Sequence, residues 1–196
     1  MKLYDSALSG NCYKIRLFLS LLNIEYQKVS VDTLEGELRT EEFLEINPRG
    51  QIPVLDNDGV VIQDSMAILI YLARKYGDDS WLPNDAQGLA EVSQWLAFAA
   101  DEVTGLAYAR AALHFGRPYN VEERQKLGVA GLTVLEQRLG DHDWLALGHT
   151  TIADIACFPY VALARQANVS LEEYINVRRW IYRIKSLPGY IALPER

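Results

Sequence analysis

Asn47-Pro48-Arg49-Gly50-Gln51-Ile52-Pro53-Val54-Leu55, followed by Gln63-Asp64-Ser65-Met66-Ala67-Ile68, is the stretch that decides the fold of this chain. Ile52-Pro53 stands between a turn and a short strand, where an X-Pro bond can take the cis form that tight turns use. In that form the N–H and C=O of Ile52 face outward and can pair with an extended ligand as a sheet edge would. Asp64-Ser65 opens an apolar helical run, which puts the Ser65 hydroxyl and backbone N–H groups at the positive end of a helix dipole. A backbone edge beside an anion-binding helix start reads as a receptor for a short peptide with an acidic end.

Outward from this stretch the pattern is that of a small mixed sheet. Lys2 to Tyr4 reads as a strand, and Asn11 to Leu22 carries Ile15, Phe18, Leu19 and Leu22 at helical spacing. Ile24 to Val31 reads as a second strand. Thr40 is a fitting N-cap for a short helix that stops at Asn47-Pro48, because the residue before proline disfavours helix. Val54-Leu55 and Val60-Val61-Ile62 flank an Asp58-Gly59 turn and form a hairpin. A helix from Ser65 to Tyr76 ends at Gly77. The order βαβαββα gives an α/β first domain over 1–77 with a mixed four-stranded sheet.

Past Gly77 the signal changes. Residues 78–85 are polar and proline-containing, as a linker is, and no strand alternation follows. The remainder, 86–196, reads as an all-α domain with helices over Ala86–Phe115, Val121–Leu139, Ile152–Gln166 and Leu171–Ser186. Thr151-Ile152-Ala153-Asp154 has capping-box spacing with Asp in the place of Glu, which gives Asp154 a buried structural role.

With 49 % apolar residues in 196, the chain can bury a sizeable core, and a net charge of −7 argues against nucleic acid or an anionic membrane as partner. The N-terminus lacks a signal-peptide core and no apolar run is long enough to span a bilayer, so a cytoplasmic protein is expected. Cys12 and Cys157 are too few for a disulfide framework and have no metal-ligand spacing, so neither a disulfide nor a metal site is expected.

Taken together, Leu3-Tyr4, Ser9-Gly10-Asn11-Cys12-Tyr13-Lys14, Asn47-Pro48 with Gln51-Ile52-Pro53-Val54-Leu55, Asp64-Ser65-Met66-Ala67-Ile68 and Thr151-Ile152-Ala153-Asp154 resemble the cytosolic glutathione S-transferases. The likeness covers nearly the whole chain, and its N-terminal motif is similar to bacterial, theta-like serine-type members. It implies a thioredoxin-like first domain, glutathione as co-substrate, a small hydrophobic electrophile held between the domains, and a homodimer. It also implies that Ile52, with Pro53 cis, pairs with the cysteinyl part of glutathione. Gln51 and Arg39 would meet the glycyl end, and Asp64 and Ser65 the γ-glutamyl end. The family more often has Glu where Asp64 stands, which shortens that reach.

Chemistry is expected in the turn Ser9 to Cys12, because a hydroxyl donor plus a helix N-terminus stabilises a thiolate. Ser9 is the first choice for the donor, or else merely a helix cap. Asn11 offers an amide in the same turn. Cys12 is the rival: a reactive thiol there would form a mixed disulfide with glutathione and make the protein a thiol-disulfide reductase or peroxidase. Cys157, within an apolar run, reads as core, and Tyr4 as packing. Ala7, Leu8, Tyr108, Ala111, Ala112 and Phe115 are expected to line the electrophile pocket, with Arg110 and His114 solvated or salt-bridged at its rim. A binding or regulatory protein that kept the fold without the chemistry is the third reading. A complete glutathione receptor favours the enzyme.

Overall fold

The computed structural model describes residues 1–193; the last three residues of the expected second domain, 194–196, lie outside the described residues. Four strands, β1 (Lys2–Asp5), β2 (Gln27–Ser30), β3 (Val54–Asn57) and β4 (Val60–Gln63), form one sheet in the order β2-β1-β3-β4. β1 pairs in parallel with β2 and antiparallel with β3, which continues antiparallel into β4. The sheet is therefore mixed. Asp58 and Gly59 both take positive φ, 56° and 91°, the backbone that a two-residue hairpin turn requires.

The helices of this half are α1 (Gly10–Leu21), α2 (Glu41–Ile46) and α3 (Ser65–Tyr76). Thr40 caps α2 by accepting the Phe43 N–H at 3.3 Å. Asn47 then ends that helix, is buried, and organises the loop beyond: its Oδ1 accepts the Arg49 N–H at 3.0 Å and its Nδ2 donates to the Gln51 carbonyl at 2.7 Å. β2 starts three residues later than the sequence pattern places it. Asn23 turns the chain with φ 54°, and the Ile24 N–H is spent on Leu19 O rather than on the sheet.

The remaining helices are α4 (Ala86–Ala100), α5 (Thr104–Phe115), α6 (Val121–Asp141), α7 (Ile152–Ala162) and α8 (Ile175–Lys185). The expected single helix over Ala86–Phe115 is two. Apolar periodicity runs through the break, but Asp101 leaves helical geometry and α5 swings off toward α6. There Gly105 meets Gly128 so closely that a Cβ would lie 2.4 Å from the Gly128 nitrogen. α7 stops at Ala162, with a 3-10 turn covering Ala164–Ala167. α8 begins at Ile175 because Glu136 of α6 accepts the N–H groups of Asn176 and Val177, each at 3.0 Å, and so caps the helix there.

One apolar core runs through both halves. Leu3 and Leu55 of the sheet, Ile15, Phe18 and Leu19 of α1, and Ile68, Leu69 and Leu72 of α3 belong to the same buried cluster as Leu135, Ile155, Phe158 and Trp180. Trp81 in the connecting segment stacks edge-on against Phe18, with centroids 5.0 Å apart, and Arg74 of α3 holds the carbonyls of Leu82 and Pro83. At the centre of the helical half, Asp154 is fully buried and accepts from Leu145 N (3.1 Å), Trp180 Nε1 (2.8 Å) and Thr151 N (3.0 Å). Burial pushes its carboxyl up to about 6 against these donors. Asp154→Ala strands three buried donors, so chemical denaturation should show a loss of about 3 kcal/mol. A loss below about 1 kcal/mol, the scale of one ordinary hydrogen bond, would contradict that role.

Candidate functional site

The turn before α1 is fixed before any ligand arrives. Arg16, one and a half turns along α1, ion-pairs with buried Asp5 and donates to the carbonyls of Ser6 (3.2 Å) and Ala7 (2.9 Å). From the other half, Arg110 of α5 donates to Leu8 O at 3.1 Å and to Gln166 Oε1 at 2.6 Å. Three successive carbonyls are thus held by two guanidinium groups. Arg110 is buried by this role rather than solvated at a rim, and it lies over the Phe115 ring at 4.9 Å. His114 bonds to Gln166 O at 2.7 Å through Nε2.

Ser9 follows as the N-cap of α1, its Oγ accepting the Cys12 N–H at 3.2 Å. Its hydroxyl proton stays free to be donated, so capping and donation to a ligand are compatible. Gly10 lets α7 close in: a Cβ there would sit 2.6 Å from the Tyr160 ring. Ser9 and Asn11 open into a cleft of about 780 Å³ between the halves, and Cys12 does not. Asn11 and Cys12 are neighbours about 100° apart around the helix, so one faces the cleft and the other the core. Cys12 is 0 % exposed, and burial first, with the Asp5 charge adding to it, pushes its thiol up to about 12. The structure thus places the Cys12 thiol in the core and away from the cleft. Cys157 is equally buried, with its thiol likewise pushed up.

One wall of the cleft is formed by residues 49–53 together with 64–66. The Ile52–Pro53 bond is cis, and Gln51, Ile52, Pro53, Asp64 and Ser65 all line the cleft. Asp64 caps α3, accepting the Met66 N–H at 2.8 Å, and holds φ at 77°, a conformation that side chains rarely adopt and that tends to persist at functional sites. Arg49 reaches the Asp64 carboxylate at 3.8 Å. Arg39 lies across Gly50, whose φ of 57° and lack of a Cβ leave room for the guanidinium.

The opposite wall is α5. Leu8, Tyr108, Ala111 and Phe115 line the cleft, whereas Ala112 and Ala7 do not. Thr104, Ala107, Tyr108, Ala111 and Phe115 share one face of α5, and Ala112, about 80° round from the middle of that face, stands at its edge outside the lining. Tyr119 stacks on Tyr108 with centroids 4.6 Å apart. Tyr4 instead packs edge-on against Phe43. Sequence reasoning missed Lys14, Arg49, Arg117, Tyr119 and Tyr160, all of which line the cleft. Only Lys14 left a readable signal, as a charge in the middle of an apolar helical run.

Among the described residues no group of His, Cys, Asp and Glu is placed to hold a metal, and no helix is long and apolar enough to cross a membrane.

Residues 8–75 match the family model for the glutathione S-transferase N-terminal domain, and 118–183 that for the glutathione S-transferase C-terminal domain. Glutathione S-transferase D7 of Anopheles gambiae is 32 % identical, over 93 % of this chain and 85 % of its own length. Disulfide-bond oxidoreductase YfcG of Escherichia coli is 33 % identical, over 91 % and 87 %. The crystal structure of a glutathione S-transferase from Pseudomonas fluorescens superposes with a TM-score of 0.92 at 34 % identity, covering 99 % of this chain and 98 % of that one. The chain belongs to the glutathione S-transferase family.

Burial predicts the behaviour of both cysteines. In the native protein at pH 8, iodoacetamide should leave Cys12 and Cys157 unmodified by mass spectrometry, and both should alkylate after unfolding. Rapid modification of Cys12 in the folded protein would contradict its place in the core.

Proposed function

We propose that this chain is a glutathione transferase, activating the glutathione thiol at Ser9 and passing it to a small apolar electrophile. The single observation that carries the reading is that Ser9 at the α1 N-terminus, the backbone edge at Ile52 and the α3 N-terminus at Asp64-Ser65 open into one cleft. Ile52 pairs its main chain with the cysteinyl residue of glutathione. The Ser65 hydroxyl and the α3 N-terminus take the γ-glutamyl carboxylate, and Asp64 takes the amine. Arg39 and Gln51 take the glycyl carboxylate.

In this pose the thiol lies at the α1 N-terminus, where the Ser9 hydroxyl donates to sulfur, with Asn11 beside it in the same turn. Both the dipole and the donor favour the anion, so the thiol releases its proton to solvent near neutral pH. Leu8, Tyr108 and Phe115 hold the electrophile against the sulfur. The sulfur lone pair forms the new C–S bond while the leaving group departs with its bonding pair, and proximity supplies much of the rate. A homodimer and a cytoplasmic location belong to the same reading.

The Escherichia coli relative, named a disulfide-bond oxidoreductase, supports a second reading. There the same glutathione thiolate attacks a disulfide sulfur, a mixed disulfide with glutathione forms, and the other sulfur leaves as thiolate. Cys12 has no part in either course.

Kinetics separate these readings. With 1-chloro-2,4-dinitrobenzene, Ser9→Ala should lower kcat/KM on the order of 100-fold, the scale of one lost anion-stabilising donor, while Cys12→Ala keeps its activity. Loss of activity in Cys12→Ala with Ser9→Ala unaffected would overturn the assignment. Turnover of a disulfide but not of the chlorinated arene would select the second reading.

A further inference from the structure

Lys14 is the only buried lysine among the described residues, at 1 % exposure, and it lines the cleft. It lies one turn beyond Gly10 and Asn11 on the same face of α1. Helical side chains lean toward the helix N-terminus, so this one climbs toward the Ser9–Asn11 turn. Its Nζ stands over the Tyr160 ring of α7, 5.6 Å from the centroid. No described residue offers that ammonium a hydrogen-bond acceptor or a carboxylate within 4.0 Å.

The surroundings explain why a charge here matters. α3 presents Asp64, whose carboxylate favours the ammonium from beyond ion-pair distance. α7 presents Cys157 and Tyr160; the charges of Arg110 and Cys12 act on Tyr160, and that of Glu102 on Cys157. α4 contributes Ala99 and Ala100 and no charge. Burial lowers the Lys14 ammonium to about 8, so it remains charged at neutral pH while lacking a counter-ion. An ammonium carried on so desolvated a side chain, with no ion-pair partner, is costly unless a ligand supplies the anion.

We propose that Lys14 is the counter-charge for the thiolate of bound glutathione, acting alongside the hydrogen bond that Ser9 donates. This deepens the transferase reading and rests on it. The thiol proton goes to solvent, and the thiolate and ammonium remain as a pair in the cleft. The γ-glutamyl carboxylate is the less fitting anion, because Ser65 and the α3 N-terminus already face it, whereas Lys14 belongs to the helix whose N-terminus receives the sulfur.

Thiolate absorbance of bound glutathione should show a thiol pKa raised by about one unit in Lys14→Met relative to wild type, a tenfold loss of thiolate at fixed pH, and restored in Lys14→Arg. S-methylglutathione, which has no thiol, should bind wild type and Lys14→Met alike. In the absence of ligand, Lys14→Met should melt higher at pH 7, because the penalty of the buried ammonium is present below pH 8 and fades only as pH rises above it. In wild type, the Lys14 13Cε titration should move to higher pH with glutathione and stay in place with S-methylglutathione, as reciprocal coupling demands. An unchanged bound-thiol pKa in Lys14→Met, or weakened S-methylglutathione binding with the thiol unaffected, would overturn the proposal and leave the transferase reading intact. Failure of glutathione to bind wild type at all would remove both.

Discussion

The grip of Arg16 and Arg110 on the carbonyls of Ser6, Ala7 and Leu8 is the constraint on which the site depends. A loop between a strand and a helix normally satisfies its carbonyls with water and stays mobile. Here charged donors do so, each worth roughly 1.5–3 kcal/mol. Because Arg16 stands on α1 and Arg110 on α5, the position of Ser9 is set by both halves at once. The sheet half alone would leave Leu8 ungripped, and the helical half alone has no turn to grip. The shared core reinforces this, since α7 packs Tyr160 over Gly10 and Phe158 beside Tyr13.

Charge distribution follows a similar logic. The chain carries −7 overall, yet among the described residues the cleft is lined by Lys14, Arg39, Arg49, Arg110 and Arg117 against Asp64 alone among carboxylates. A concave, partly desolvated surface focuses such a field, so an anionic peptide is drawn into a protein whose exterior repels it. The tyrosine and phenylalanine wall of α5 faces this basic floor across the cleft. One ligand is thereby sorted by charge and the other by apolar contact.

Much of the fold was legible in the sequence because its signals are local. The Asp58-Gly59 turn, the Thr40 and Ser9 caps, the Asn47-Pro48 stop and the Thr151–Asp154 box each write their backbone geometry into two to four residues. What stayed hidden depends on partners distant in sequence. The break at Asp101 is set where α5 meets α6 at Gly128, and the apolar pattern of Ala86–Phe115 carries no trace of it. Whether Asn11 or Cys12, or Ala111 or Ala112, faces the cleft is a matter of one residue's rotation about a helix, and only the docked neighbours fix that phase. Arg110 resembled a rim charge because Leu8 and Gln166, its acceptors, are 102 and 56 residues away.

The central claim is that one cleft, built from the Ile52 edge and the N-termini of α1 and α3, receives glutathione. Titrating glutathione into 15N-labelled protein and following the amide resonances tests this most directly. The account predicts saturable shifts concentrated at Ser9–Asn11, Gln51–Ile52 and Ser65–Met66. Shifts confined to other surfaces, or none at millimolar glutathione, the weak end of specific binding, would contradict it.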